Sequence, residues 1–180
     1  MFEVETVSLK LQRASQDVQR WELNFGVVGT ADTQVDLLVN SVLDVDVVDT
    51  MVMPQLPAVD TRITVSTTSV PVGSAATAGT SVVYGTTVAV SGLLPKGSFI
   101  KFSNHDKLYM VTADADFNLG SNAPINIFPK LQVALTTSHT VKTGSAAILT
   151  YYRSIDNTAG ITFTDGVLSS LGSITLIEAL

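Results

Sequence analysis

The chain of 180 residues is 46% hydrophobic and only 14% charged, enough apolar material for one sizeable core but not for two ordinary domains with separate cores. Ten Lys+Arg against sixteen Asp+Glu leave a formal charge of −6, which argues against non-specific nucleic-acid or anionic-membrane binding, since both need a broad positive field. Cysteine is absent, which excludes disulfides, thiolate zinc sites and thiol nucleophiles, and a mean hydropathy of +0.36 is the reverse of a disordered composition.

The opening Met1-Phe2-Glu3-Val4-Glu5 has acids where a secretory signal carries lysines, so none is expected. Val and Thr make up about a quarter of the residues, and β-branched side chains suit a pleated surface, so the chain is expected to be mainly β. Alternation over Val4 to Leu11 and again over Val18 to Phe25 predicts an antiparallel hairpin turning at Ala14-Ser15-Gln16-Asp17. Thr30 or Asp32 can cap a helix carrying Val35, Leu38, Val39 and Val42 on one face. Asp44, Asp46 and Asp49 then interleave with valines in a strand that ends before Pro54 and Pro57. These pieces form an α+β unit over residues 1–58, free to share a sheet with the C-terminal strands.

Residues 59–180 read as a small all-β domain, a barrel or a sandwich. Its expected strands are Ile63 to Val65, Val82 to Tyr84, Val88 to Val90, Phe99 to Phe102, Leu108 to Thr112, Ile125 to Phe128, Ala147 to Tyr152, Ile161 to Phe163 and Ile174 to Ile177. The charge-free run from Ile63 to Pro95 is rich in Ser, Thr and Gly and broken by Pro71, which suits sheet and not a membrane span. Gly73 to Gly79 is small and polar and predicts a mobile loop.

No catalytic, cofactor-binding or metal site is expected. The two histidines, His105 and His139, lack a partner ligand at i, i+4, and His105-Asp106-Lys107 reads as a hairpin turn. Asp114, Asp116, Asn118 and Gly120 begin like a calcium loop, but the closing bidentate position is Ile125. Gly92-Leu93-Leu94-Pro95-Lys96-Gly97 lacks the Gly-Lys-Ser/Thr step of a phosphate cradle. Of the neighbouring Tyr151 and Tyr152, an alternating strand buries one ring and exposes the other.

Gln19-Arg20-Trp21-Glu22-Leu23 before a short helix, then Gly97-Ser98-Phe99-Ile100-Lys101-Phe102, Lys107-Leu108-Tyr109-Met110-Val111-Thr112 and Ile125-Asn126-Ile127-Phe128-Pro129-Lys130-Leu131, form an ordered set. The set resembles a family of tailed-bacteriophage virion structural proteins of the distal-tail or baseplate type. The resemblance implies an N-terminal hairpin-helix-strand unit that forms a ring around the tail channel, with a small β domain decorating it. Arg20, Trp21, Phe99 and Tyr109 are then structural anchors. It also implies a homo-oligomeric ring, expected to be a hexamer, contacts with other tail and baseplate proteins, and a place in the virion after assembly in the host cytoplasm. DNA would pass through the channel without specific binding, and no membrane partner is implied. Asp32, Asp36, Asp44, Asp46 and Asp49 are candidates to line the bore, where acids would repel phosphates.

The alternative is a carbohydrate- or host-surface-binding β module of a virion, with Tyr84, Tyr109, Tyr151 and Tyr152 as its aromatic contacts.

Overall fold

The computed structural model describes residues 2–5, 11–14, 19–26, 48–120, 122–153, 162–164, 167–170 and 173–180. Its strands in chain order are β1 (Phe2–Glu5), β2 (Leu11–Ala14), β3 (Glu22–Gly26), β4 (Asp49–Val52), β5 (Ser69–Pro71), β6 (Val82–Thr86), β7 (Leu93–Leu94), β8 (Phe99–Phe102), β9 (Leu108–Val111), β10 (Ala115–Asp116), β11 (Asn122–Phe128), β12 (Thr140–Thr143), β13 (Ile148–Arg153), β14 (Thr162–Thr164), β15 (Val167–Ser170) and β16 (Ser173–Glu178). The described helix is limited to the single turn α1 (Pro57–Asp60) and a 3-10 turn at Gly144–Ala146. Pro57 suits the start of α1, because its fixed φ is helical and its missing N–H would have no partner there. The chain is mainly β, as its β-branched composition predicts.

The larger sheet has the order β5-β12-β8-β9-β11-β6, with every pairing antiparallel. Side chains alternate across it, so Ile100 and Phe102 of β8, Val111 of β9 and Ala123, Ile125 and Ile127 of β11 enter one core while their neighbours stay accessible. Each large side chain removed from water here contributes about 1.5–3 kcal/mol. The sheet curls into a half-barrel whose rims approach each other: Gly73 N–H donates to the Tyr84 carbonyl at 2.7 Å, and Val72 bridges Gly85. Gly85 is required at that seam, since a Cβ there would stand 2.8 Å from the Phe117 ring and 3.1 Å from Val70. The short pair β7–β10 closes one end, with Leu94 and Ala115 in the same core.

The second sheet has the order β3-β16-β13-β4, again antiparallel. It draws β3 and β4 from before residue 58 and β13 and β16 from after it. Its core is Met53, Leu108, Ala147 and Leu149, with Trp21, Leu23, Met51, Phe99 and Tyr151 packed around them. Two further pairs, β1–β2 and β14–β15, stand as separate ladders.

Several expectations need correction. The opening hairpin pairs Phe2 with Ala14 and Glu5 with Leu11, so Ala14 belongs to a strand, while Glu22–Gly26 pairs with β16 instead. Trp21 and Leu23 explain this choice: they reach apolar partners only at the second core, and that burial outweighs the local turn. Ile63 to Val65 forms no strand, although Thr64 and Ser66 N–H donate to the carbonyls of Leu93 and Ser91. Val88 to Val90 is a turn with Ala89 at φ 60°. Gly73 to Gly79 is tied down, because Ala76 and Leu135 exchange two backbone hydrogen bonds of 3.0 and 2.8 Å. The helix expected after Thr30 lies outside the described residues.

Candidate assembly surface

The hydrogen-bond parity of the four-stranded sheet fixes which backbone groups face outward. Ala179 N–H donates to the Thr150 carbonyl, so the backbone of Thr150 faces β16, and the backbones of Leu149 and Tyr151 face β4. Met53 N–H donates to the Ala147 carbonyl in the same phase. With Met51 opposite Leu149 and Asp49 opposite Tyr151, the amides and carbonyls of Thr50 and Val52 point away from the sheet. On the far side, Glu178 N–H donates to the Trp21 carbonyl, which leaves the backbones of Glu22 and Asn24 pointing outward from β3. Among the described residues neither edge has a strand beyond it.

An unpaired edge invites another strand, and side chains temper that tendency. The Asp49 carboxylate takes the Thr50 N–H at 2.7 Å, covering one outward donor, and Glu22 places a second acid on the opposite edge. Around β4 three apolar side chains are exposed beside Asp49 and Thr50: Val48 60%, Val52 51% and Leu56 70%.

The sheet is held to the half-barrel by a buried charged joint. Lys107, in the loop after β8, pairs with Glu178 of β16, and both side chains are fully removed from solvent. Glu178 also accepts Leu108 N–H at 2.6 Å and Trp21 N–H at 3.1 Å, so neither carboxylate oxygen is unsatisfied. Burial draws the Lys107 pKa down, and the hydrogen bond and charge of Glu178 oppose it. Trp21 completes the joint: Nε1–H donates to the Leu108 carbonyl at 2.9 Å, the ring meets Phe99 edge-on at 5.2 Å, and Lys107 Nζ lies 5.8 Å from its centroid.

A second polar chain fixes the β8–β9 loop. Asn104 Nδ2 donates to the Ala134 carbonyl, which turns Oδ1 toward His105 Nδ1 at 2.7 Å. Oδ1 can only accept, so Nδ1 carries the proton and Nε2 accepts from the Tyr109 hydroxyl at 2.7 Å. Tyr109 in turn accepts Gln132 N–H at 3.0 Å. Neutral imidazole is what this chain needs. Burial lowers the His105 pKa to about 4, with the nearby Asp106 charge opposing, and burial pushes Tyr109 up to about 12.

The residues singled out in the sequence divide as follows. Trp21 and Phe99 meet at the joint, and Tyr109 is buried in the half-barrel core. Arg20 is exposed and donates to the Tyr152 hydroxyl at 3.0 Å. Asp49 is exposed at the start of β4, whereas Asp32, Asp36, Asp44 and Asp46 lie outside the described residues. The four tyrosines share no face: Tyr109 cannot reach a ligand, Tyr84 is exposed on β6, and Tyr151 and Tyr152 are both half-buried on β13. The burial of one ring and exposure of the other is therefore corrected: Tyr151 packs against the second core, and Tyr152, on the opposite face, is half-buried with its hydroxyl held by Arg20. Asp114 binds Arg62 at 2.8 Å and Lys96 N–H at 2.7 Å, and Asp116 closes an Asx turn on Asn118, so the acids of that loop serve local turns. Sequence reasoning missed Glu178, although its parity with Leu176 in an apolar strand marked it as inward-facing.

Comparison with curated proteins finds no match. Residues 59–147, which run from the end of α1 through the half-barrel to the 3-10 turn, match the family model for the B domain of distal tail protein pb9. This match indicates a phage distal tail protein, with a structural role in the virion tail.

Proposed function

We propose that this protein works by closing a ring of identical subunits through strand addition, with no catalytic step. The observation that carries the reading is the pair of open edges on one sheet. Successive antiparallel pairings make β3 and β4 run in opposite directions, so β4 of one subunit would meet β3 of the next in the antiparallel sense. Val52, and Thr50 once the Asp49 carboxylate releases its N–H, would then exchange hydrogen bonds with Glu22 and Asn24, and exposed Val48 and Val52 would be covered. A head-to-tail contact of this kind closes into a cyclic ring when the rotation per subunit divides a full turn. The family likeness supports a hexamer around the tail channel that joins the tail tube to tip components, assembled in the host cytoplasm. In such a ring Asp32, Asp36, Asp44, Asp46 and Asp49 would give an acidic bore through which DNA slides without binding.

Val52→Pro tests the reading, because it deletes an outward N–H and leaves the β13 ladder intact. Negative-stain images of the wild type are expected to show an annulus of six-subunit mass, and the variant is expected to remain a folded monomer. A wild type that stays monomeric at high concentration, or a Val52→Pro variant that forms rings as readily, would overturn the proposal.

A further inference from the structure

We propose that the cavity between the β8–β9 loop and the start of β13 binds a small anionic sugar, a carbohydrate unit bearing one phosphate or one carboxylate. The inference is independent of the ring. The cavity measures about 560 Å³, within the range of small-ligand sites, and its walls include Lys101, Ser103, Asn104, His105, Lys142 and Ile148. In register, Lys101 of β8 stands directly opposite Lys142 of β12. Like charges in that position repel, so the pairing is unfavourable unless something anionic sits between them.

The protein supplies only part of that compensation. Asp106 holds Lys101 at 2.7 Å, whereas Lys142 Nζ meets the neutral Ser69 hydroxyl at 3.0 Å, and no described carboxylate lies within ion-pair distance of it. His105 is neutral near pH 7 and adds no charge, so among the described residues Lys142 is left without a carboxylate partner as it faces the cavity, in a chain of net charge −6. Around that cation the groups suit a hydroxylated body. Ser103 and Asn104 offer hydrogen bonds, Asp106 is an acceptor open to solvent, and exposed Ile148 provides an apolar wall for a ring face. The Asp106 carboxylate would repel a second anionic group, which points to ligands with a single charge centre at Lys142.

The test is calorimetric titration of the full chain with glucose 6-phosphate, glucuronate, glucose and inorganic phosphate. The expected result is binding of at least one anionic sugar, with glucose and inorganic phosphate each weaker by about tenfold or more. Lys142→Gln keeps the stem and the Ser69 hydrogen bond but removes the charge, and should weaken the anionic sugar about tenfold with an unchanged melting temperature. Lys130→Ala, an exposed cation outside the cavity, should leave binding unchanged. A preference for the phosphate or for the carboxylate form would tell the two sources apart, and either supports the site. Equal binding of glucose, equal binding of inorganic phosphate, no binding of either anionic sugar at millimolar concentration, or indifference to Lys142→Gln would each overturn it.

Discussion

Removing both members of the Lys107–Glu178 pair should destabilise the fold by clearly less than the sum of the two single removals. A buried ion pair that loses one partner leaves an uncompensated charge and costs about 3–5 kcal/mol. The two sides are unequal here. In Glu178→Leu the Lys107 ammonium is stranded, and the amides of Leu108 and Trp21 lose a charged acceptor, so the cost should lie at or above the top of that range, about 5 kcal/mol. In Lys107→Met the carboxylate keeps both amide donors, so the cost should fall to about 3 kcal/mol. The double variant removes both charges and leaves only the two amides unsatisfied, about 1–3 kcal/mol each. A coupling energy of about 2 kcal/mol or more should therefore separate the double variant from the sum of the singles. Urea denaturation followed by the fluorescence of Trp21, the one tryptophan and itself part of the joint, reads all four proteins. Additive single effects, or a Glu178→Leu variant within about 1 kcal/mol of wild type, would refute the claim that this pair holds the two sheets together.

Three more outcomes follow from the same packing. His105 has its folded pKa depressed to about 4, so between that value and its ordinary 6.5 the unfolded chain binds the extra proton, and stability falls as pH drops through this window. The loss is at most about 3 kcal/mol, and about 1–2 kcal/mol once solvent screening of its exposed side is included; denaturation at pH 7 and pH 4 should show this slope in wild type and a weaker one in His105→Gln. Gly92 sits at φ +102°, and a Cβ there would lie 2.1 Å from the Thr64 carbonyl oxygen, so Gly92→Ala should cost about 3 kcal/mol or more by thermal melting. Gly79, at φ +89° with open space around it, should cost only about 1 kcal/mol on the same substitution.

Strands with strong apolar alternation are legible in the sequence alone. Phe99 to Phe102 matches β8 to the residue, and Leu108 to Thr112 exceeds β9 by one. Thr140–Thr143 was not legible, because Thr-Val-Lys-Thr offers a single apolar side chain, yet it sits between β5 and β8 inside the half-barrel. What decides its place is cross-strand pairing, Val141 against Val70 on one side and Phe102 on the other, which no local window contains. The joint was hidden for the same reason: Lys107 and Glu178 are 71 positions apart, and a lysine in a polar turn carries no sign that it will be buried. Likewise, Lys101 and Lys142 read as solvated charges until the β8–β12 register sets them face to face.

The two sheets divide the available surfaces between them. The half-barrel brings its first and last strands together at Val72 and Gly85, so it offers little edge for another chain to extend. The four-stranded sheet keeps both edges open, so strand-to-strand association falls to it, and the half-barrel's surface is left for contacts through side chains. A consequence separates the two proposals. Val52→Pro removes an outward backbone N–H of β4, and although Val52 stands opposite Ile148 in the cavity wall, Lys142 and the polar lining lie on other elements, so the monomeric variant should retain most of the anionic-sugar affinity of the ring. Lys142→Gln alters β12, which has no open edge of the four-stranded sheet, so it should assemble normally. If the edge variant lost sugar binding or the lysine variant lost assembly, while both remained folded, the two surfaces would be coupled and this division of labour would be wrong.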